Sequence, residues 1–117
     1  MFARLSHILA TAAILLVLTA NVALADSPIA VTASDGKFTP GTVTLKVGQT
    51  TVLHFSSSSG VHGLQSDALG ISQTLIMPGK GTDVTVTPKK AGTYVLHCTI
   101  PCGSGHETMT LTVDVEP

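Results

Sequence analysis

The stretch TYVLHCTIPCGSGHETMTLTVDVE, residues 93–116, reads as strand, loop, strand, and its pattern sets the fold class for the whole chain. Side chains alternate faces along an extended strand, so residues two apart share a side. In the second half Met109, Leu111, Val113 and Val115 fall on one side, and Thr108, Thr110, Thr112 and Asp114 on the other. That is a strand with one face in an apolar core. In the first half Tyr94, Leu96 and Cys98 are in phase, which puts Cys98 at the inner end of its strand and His97 on the opposite face. Both cysteines of the chain, two histidines and a methionine fall within residues 97–109.

The same alternation recurs upstream. IAVTAS (29–34), TVTLKV (42–47), TTVLHF (50–55), QTLIM (73–77) and TDVTVT (82–87) are short runs rich in Val, Thr, Leu and Ile. They are separated by the turn chemistry of SDGKFTPG, VG, SSSSG, PGKG and PKKAG. In the second of these runs Val43, Leu45 and Val47 share one face. Helix signals are nearly absent after residue 26. About seven or eight such strands predict an all-β fold, a two-sheet β-sandwich of antiparallel or Greek-key type. No internal repeat or linker divides it, and the serine run 56–59 reads as an ordinary loop.

The start of the chain is a different kind of segment. MFARLSHILATAAILLVLTANVALA carries Arg4, an apolar run from Ile8 to Leu18, and Ala23-Leu24-Ala25 before Asp26. This predicts a signal peptide over 1–25, cleaved after Ala25, because the apolar run is shorter than the roughly 20 residues a spanning helix needs. One domain, 26–117, remains, exported to the periplasm or secreted, with no stable membrane insertion. Its five lysines and seven acidic residues give a net charge of −2. Nothing in that balance provides a nucleic-acid footprint.

In an oxidising compartment two cysteines invite a disulfide. A bridge from Cys98 to Cys102 would close only a few residues, and the entropy a bridge removes grows with loop length. Stability is therefore a poor reason for the pair. The spacing Cys98-x3-Cys102-x3-His106-x2-Met109 offers thiolates, an imidazole and a thioether, a set that favours copper, with zinc possible through Cys and His. Gly103 and Gly105 let a short segment turn several side chains toward one point. Upstream, His62 in SSSSGVHGLQ follows a predicted strand and could reach the same end of the sandwich. Each residue alone has an ordinary reading: Met109 as core, His62 and His106 as solvated loop residues, the cysteines as a disulfide.

Taken together, C-x3-C-x3-H-x2-M with an upstream V-H-G resembles the dinuclear copper (CuA) domain of haem–copper oxidase subunit II, a cupredoxin that also occurs in nitrous-oxide reductase. FTPGTVTLKVGQTTVLHF (38–55) and PGKGTDVTVTPKKAGTYVLHC (78–98) extend the resemblance over about residues 30–116. It implies two copper ions bridged by the thiolates of Cys98 and Cys102, with His62 and His106 each completing one ion's set. Met109 and the main-chain carbonyl of Ile100 would be weak ligands. Family members commonly carry Glu where this chain has Ile100, which keeps the carbonyl and changes the local polarity. His97 becomes an outer group near the ligands, and His54 ordinary surface or core.

The resemblance also has departures. Subunit II carries two membrane helices and a tryptophan-containing electron-entry patch, and this chain contains no Trp. The expectation is therefore a free-standing, monomeric electron-transfer protein rather than an enzyme, exchanging single electrons with a redox partner protein. A copper chaperone or storage protein, with copper donor and acceptor proteins as partners, is the alternative. A structural sandwich with a disulfide or a zinc ion is a third.

Overall fold

The polypeptide from residue 27 on folds into strands wherever apolar and polar residues alternate, as a computed structural model describing residue 14 and residues 27–101 and 105–117 shows. Residues 1–13 and 15–26, where the expected signal peptide falls, and Cys102 with Gly103 and Ser104, lie outside the described residues. The strands are β1 (Ile29–Ser34), β2 (Lys37–Thr39), β3 (Thr42–Lys46), β4 (Thr51–Ser57), β5 (His62–Ser66), β6 (Ile71–Ile76), β7 (Thr82–Val86), β8 (Gly92–His97) and β9 (Thr110–Glu116). A 3₁₀ turn, His106–Thr108, is the only helix among the described residues.

Three sheets form: β2-β1-β4-β7, β3-β9-β8, and the hairpin β5-β6. The second follows directly from the alternation in β9. Leu111, Val113 and Val115 are buried while Thr110, Thr112 and Asp114 are half-exposed. Val43 lies opposite Val113 and Leu45 opposite Val115 in β3, and Leu96 lies opposite Leu111 in β8. The three strands thus present one apolar face, each buried aliphatic contributing about 1.5–3 kcal/mol of transfer free energy. Across the core, Val31 pairs with Phe55 and Leu53 with Val84, and all but the half-buried Val84 are shielded from solvent. Tyr94, half-buried against this core, donates its hydroxyl to the Lys90 carbonyl at 2.6 Å, tying the start of β8 to the turn before it.

The all-β expectation holds, with nine strands among the described residues instead of seven or eight. The two additions are β2 and β5. The Asp35-Gly36 turn, with Gly36 at φ +75°, closes a short hairpin in which Lys37 pairs with Ser34, so SDGKFTPG contains a strand as well as a separator. In β5, His62, Gly63 and Leu64 are all buried, so the strand has no alternation to read. Two pairings, β1 with β4 and β3 with β9, are parallel. Val47 departs from its expected face: it lies one residue past β3, before the turn at Gly48, and is 38% exposed. Thr108 belongs to the 3₁₀ turn, and β9 begins two residues later.

Candidate metal centre

The end of β8 is a junction. Successive N–H groups of an extended strand point to opposite sides, and residues 98 and 99 use the two directions on different sheets. The Cys98 N–H donates to the Met109 carbonyl at 3.1 Å, extending the β8–β9 ladder by one residue. The Thr99 N–H turns the other way and donates to the Gly63 carbonyl of β5 at 3.0 Å. One peptide step thereby joins the three-stranded sheet to the hairpin that carries His62. A Cβ on Gly63 would stand 2.5 Å from the Thr99 hydroxyl and 3.0 Å from the Ile100 side chain, so this join is close-packed. The Gln73 amide of β6 donates to the same Thr99 hydroxyl at 2.7 Å.

Cys98 is 4% exposed and Met109 fully buried, in phase with Leu96 and Leu111 as the alternation requires. The Cys98 thiol points back along its own loop and donates to the Ile100 carbonyl at 3.3 Å. Two of the expected donor atoms, the sulfur and that carbonyl oxygen, are therefore neighbours.

His62 is not in a loop: it is the first residue of β5 and is fully buried. Its Nε2–H donates to the Ser59 carbonyl at 2.6 Å. Since a carbonyl only accepts, this bond assigns the proton to Nε2 and leaves Nδ1 as the lone-pair atom. Nδ1 is buried and has no hydrogen-bond partner among the described residues. A buried polar atom without a partner costs about 1–3 kcal/mol, so an unpaired imidazole nitrogen inside a protein calls for a ligand. A soft or borderline metal ion fits that lone pair, as it fits the sulfur atoms of Cys98 and Met109.

His106 opens the 3₁₀ turn and is half-buried. The turn is held by the Thr108 N–H on the Gly105 carbonyl at 3.2 Å and the Met109 N–H on the His106 carbonyl at 3.3 Å. A 3₁₀ turn has three residues per turn, so positions i and i+3 eclipse. The x2 spacing between His106 and Met109 thus places both on one side of the turn. Cys102 lies outside the described residues, and among those described no three His, Cys or carboxylate side chains converge on one point.

His97, read as an outer group, is exposed on the far face of β8. There it lines an open groove of about 340 Å³ with Gln65, Asp67 and Val95. His54 is at the surface, its Nδ1 2.5 Å from a carboxylate oxygen of Asp83 on β7. Two contributors escaped the sequence reading. The Ser59 carbonyl orients His62, and its one signal is the serine run immediately before V-H-G. Gly36 touches the ligand loop: a Cβ on Gly36 would stand 3.2 Å from the Gly105 Cα, a contact with no local signature.

No curated protein matches the sequence. Among solved structures, the chain is similar to the periplasmic domain of cytochrome oxidase subunit II from Bradyrhizobium japonicum, with TM-score 0.70 and 16% identity over 80% of this chain and 86% of that one. It is also similar to auracyanin from Roseiflexus castenholzii, with TM-score 0.60 and 20% identity over 80% of this chain and 99% of that one. Auracyanin A, a "blue" copper protein from Chloroflexus aurantiacus, matches with TM-score 0.55 and 18% identity, over 77% of this chain and all of that one. The model of the cupredoxin-like domain matches residues 7–113, and on that match, nearly the whole sequence, the chain belongs to the cupredoxin-like domain family.

Proposed function

We propose that this chain is an exported copper protein that carries single electrons through a CuA-like dinuclear centre, and that it is not itself an enzyme. The observation that carries the reading is the buried, unpartnered Nδ1 of His62, on the strand that the Cys98–Ile100 segment hydrogen-bonds. The family supports copper as the metal, and the likeness to an oxidase subunit II domain supports the dinuclear form. His62 through Nδ1, Cys98, Cys102, His106, Met109 and the Ile100 carbonyl would hold the two ions. Bound there, copper would supply one-electron redox chemistry, and these residues would hold it in a fixed, largely buried setting.

The chain's own part is to keep the donors still and dry. Cys98 and Met109 are held by the Cys98 N–H to Met109 carbonyl bond inside the core, and His62 by its Nε2–H bond. The partner is a redox protein that docks through a small, weak interface. Residues 1–25 act as a leader, so mass spectrometry of exported protein should find Asp26 at the mature N-terminus.

The experiment is metal analysis with electron paramagnetic resonance on protein whose cysteines are reduced, whose reductant is then removed, and which is loaded with copper and left oxidised. The dinuclear reading expects two coppers per chain and a seven-line hyperfine pattern. One copper and a four-line pattern would refute it in favour of a mononuclear blue site, the kind named for auracyanin A.

A further inference from the structure

The serine run 56–59 reads in the sequence as an ordinary loop, yet in the fold its last residue meets the ring of His62 at Nε2. The Ser59 carbonyl takes the Nε2–H at 2.6 Å. Gly60, at φ +75°, closes over the same edge: a Cβ there would stand 3.4 Å from Nε2 and 3.8 Å from Cε1. Both carbonyls of this corner converge on one hydroxyl. Ser57 Oγ lies 3.0 Å from the Ser59 oxygen and 2.5 Å from the Gly60 oxygen, and its single proton is shared between them.

Ser57 is itself well anchored. It is the last residue of β4, in register with Ala33 of β1, and it forms a bridge with Pro78 on its other side. The next residue donates its N–H to the Ala33 carbonyl at 2.9 Å. A hydroxyl on the rigid end of a strand therefore holds the two carbonyls of a loop that would otherwise turn freely at Gly60.

We propose that Ser57 is a positioning residue for the metal centre, fixing the Ser59 carbonyl and through it the tautomer and orientation of His62. The chemistry is one of exclusion. A neutral imidazole has one N–H and one lone pair, and whichever nitrogen meets a fixed acceptor keeps the proton. With the Ser59 carbonyl held in place, Nε2 keeps it and Nδ1 presents its lone pair inward. With that carbonyl free to rotate, both tautomers are populated, and the one protonated at Nδ1 cannot bind metal through that atom. Groups that orient a metal-binding histidine through its other nitrogen are commonly worth 10–100-fold in metal affinity.

The proposal rests on His62 being a copper ligand, and the experiment separates the two claims. In the mature chain, Ser57→Ala and Ser57→Thr are compared with wild type by two measurements. One is nitrogen-15 NMR of the His62 ring in metal-free protein, at a pH where the imidazole is neutral. The other is copper affinity by competition with a chelator. Wild type should show the Nε2–H tautomer alone. Ser57→Ala should show a mixture and bind copper 10–100-fold more weakly, and Ser57→Thr, which keeps the hydroxyl, should restore both. A single Nε2–H tautomer in Ser57→Ala overturns the proposal whatever its copper affinity, as does failure of Ser57→Thr to rescue. Should Ser57→Ala not fold, Ser57→Cys keeps the volume with a weaker donor and must show the same tautomer mixing. If wild type binds no copper, the copper reading falls while the NMR arm still decides the role of Ser57.

Discussion

Replacing Gly105 with alanine adds one methyl group at the point where the ligand loop touches the β1–β2 turn. Gly105 has φ −104° and ψ 5°, a conformation open to any residue, so alanine brings no backbone strain of its own. Its Cβ, however, would stand 2.3 Å from the Gly36 Cα and 3.0 Å from the Gly36 nitrogen. Both are backbone atoms, so no side-chain rotation relieves the contact. Reaching an ordinary separation of 3.4 Å requires the two backbones to part by about 1.1 Å. The β1–β2 turn is tied down by the Ser34–Lys37 pairing, so the loop moves, and His106, the next residue, moves with it. Overpacking of this kind costs about 1–3 kcal/mol, and the shift of His106 should weaken copper binding at least tenfold. Gly48→Ala is the control. Gly48 has φ +75° with nothing within 4 Å of a Cβ, so alanine there meets only the left-handed penalty of about 1–2 kcal/mol. Urea unfolding and chelator competition should find both variants destabilised, and only Gly105→Ala impaired in copper binding. Equal copper affinity in the two variants would refute the argument that this glycine contact sets the position of the loop.

Two further outcomes follow from the burial pattern. Met109→Leu conserves volume at a fully buried site, so the metal-free protein should lose less than about 1.5 kcal/mol by urea unfolding; a changed visible or paramagnetic spectrum in the copper form would then report the thioether as ligand, and an unchanged one would leave Met109 as core alone. Phe55→Ala empties the centre of β4, where the ring is fully buried opposite Val31, and should cost about 3–5 kcal/mol; a loss below about 1 kcal/mol would mean the core is not packed as described.

Legibility in the sequence followed the physics of each segment. β3 and β9 are half-buried, so alternation exposes them, and Cys98 and Met109 inherit their inward phase from Leu96 and Leu111. β5 is invisible to the same test because His62, Gly63 and Leu64 are all enclosed, with the β8 end covering one side of the strand. From the sequence His62 therefore reads as a loop residue, although the V-H-G context marks it as a candidate ligand. The contact between Gly36 and Gly105 joins segments far apart in the chain, and no local pattern announces it. The serine run was legible only as composition. What matters there is a backbone carbonyl and one hydroxyl, and neither has a spacing signature.

The arrangement also separates the demands of carrying electrons from those of delivering copper. A carrier needs donors that stay in place on reduction, and three of those described here are fixed by burial and hydrogen bonds. His62 is buried and tied through Nε2, while Cys98 and Met109 are joined by a backbone hydrogen bond inside the core. A delivery protein needs one donor that can yield to an incoming acceptor. His106 is the most accessible of the described side-chain ligand candidates: it is half-buried, sits on a single 3₁₀ turn, and follows the glycine that packs on Gly36. The choice between the two functions thus falls largely on how firmly that turn holds His106. The packing of Gly105 against the Gly36 backbone, where no side chain can be added without displacement, restrains the turn. So close a backbone contact works against releasing His106, in line with the electron-carrier reading proposed above.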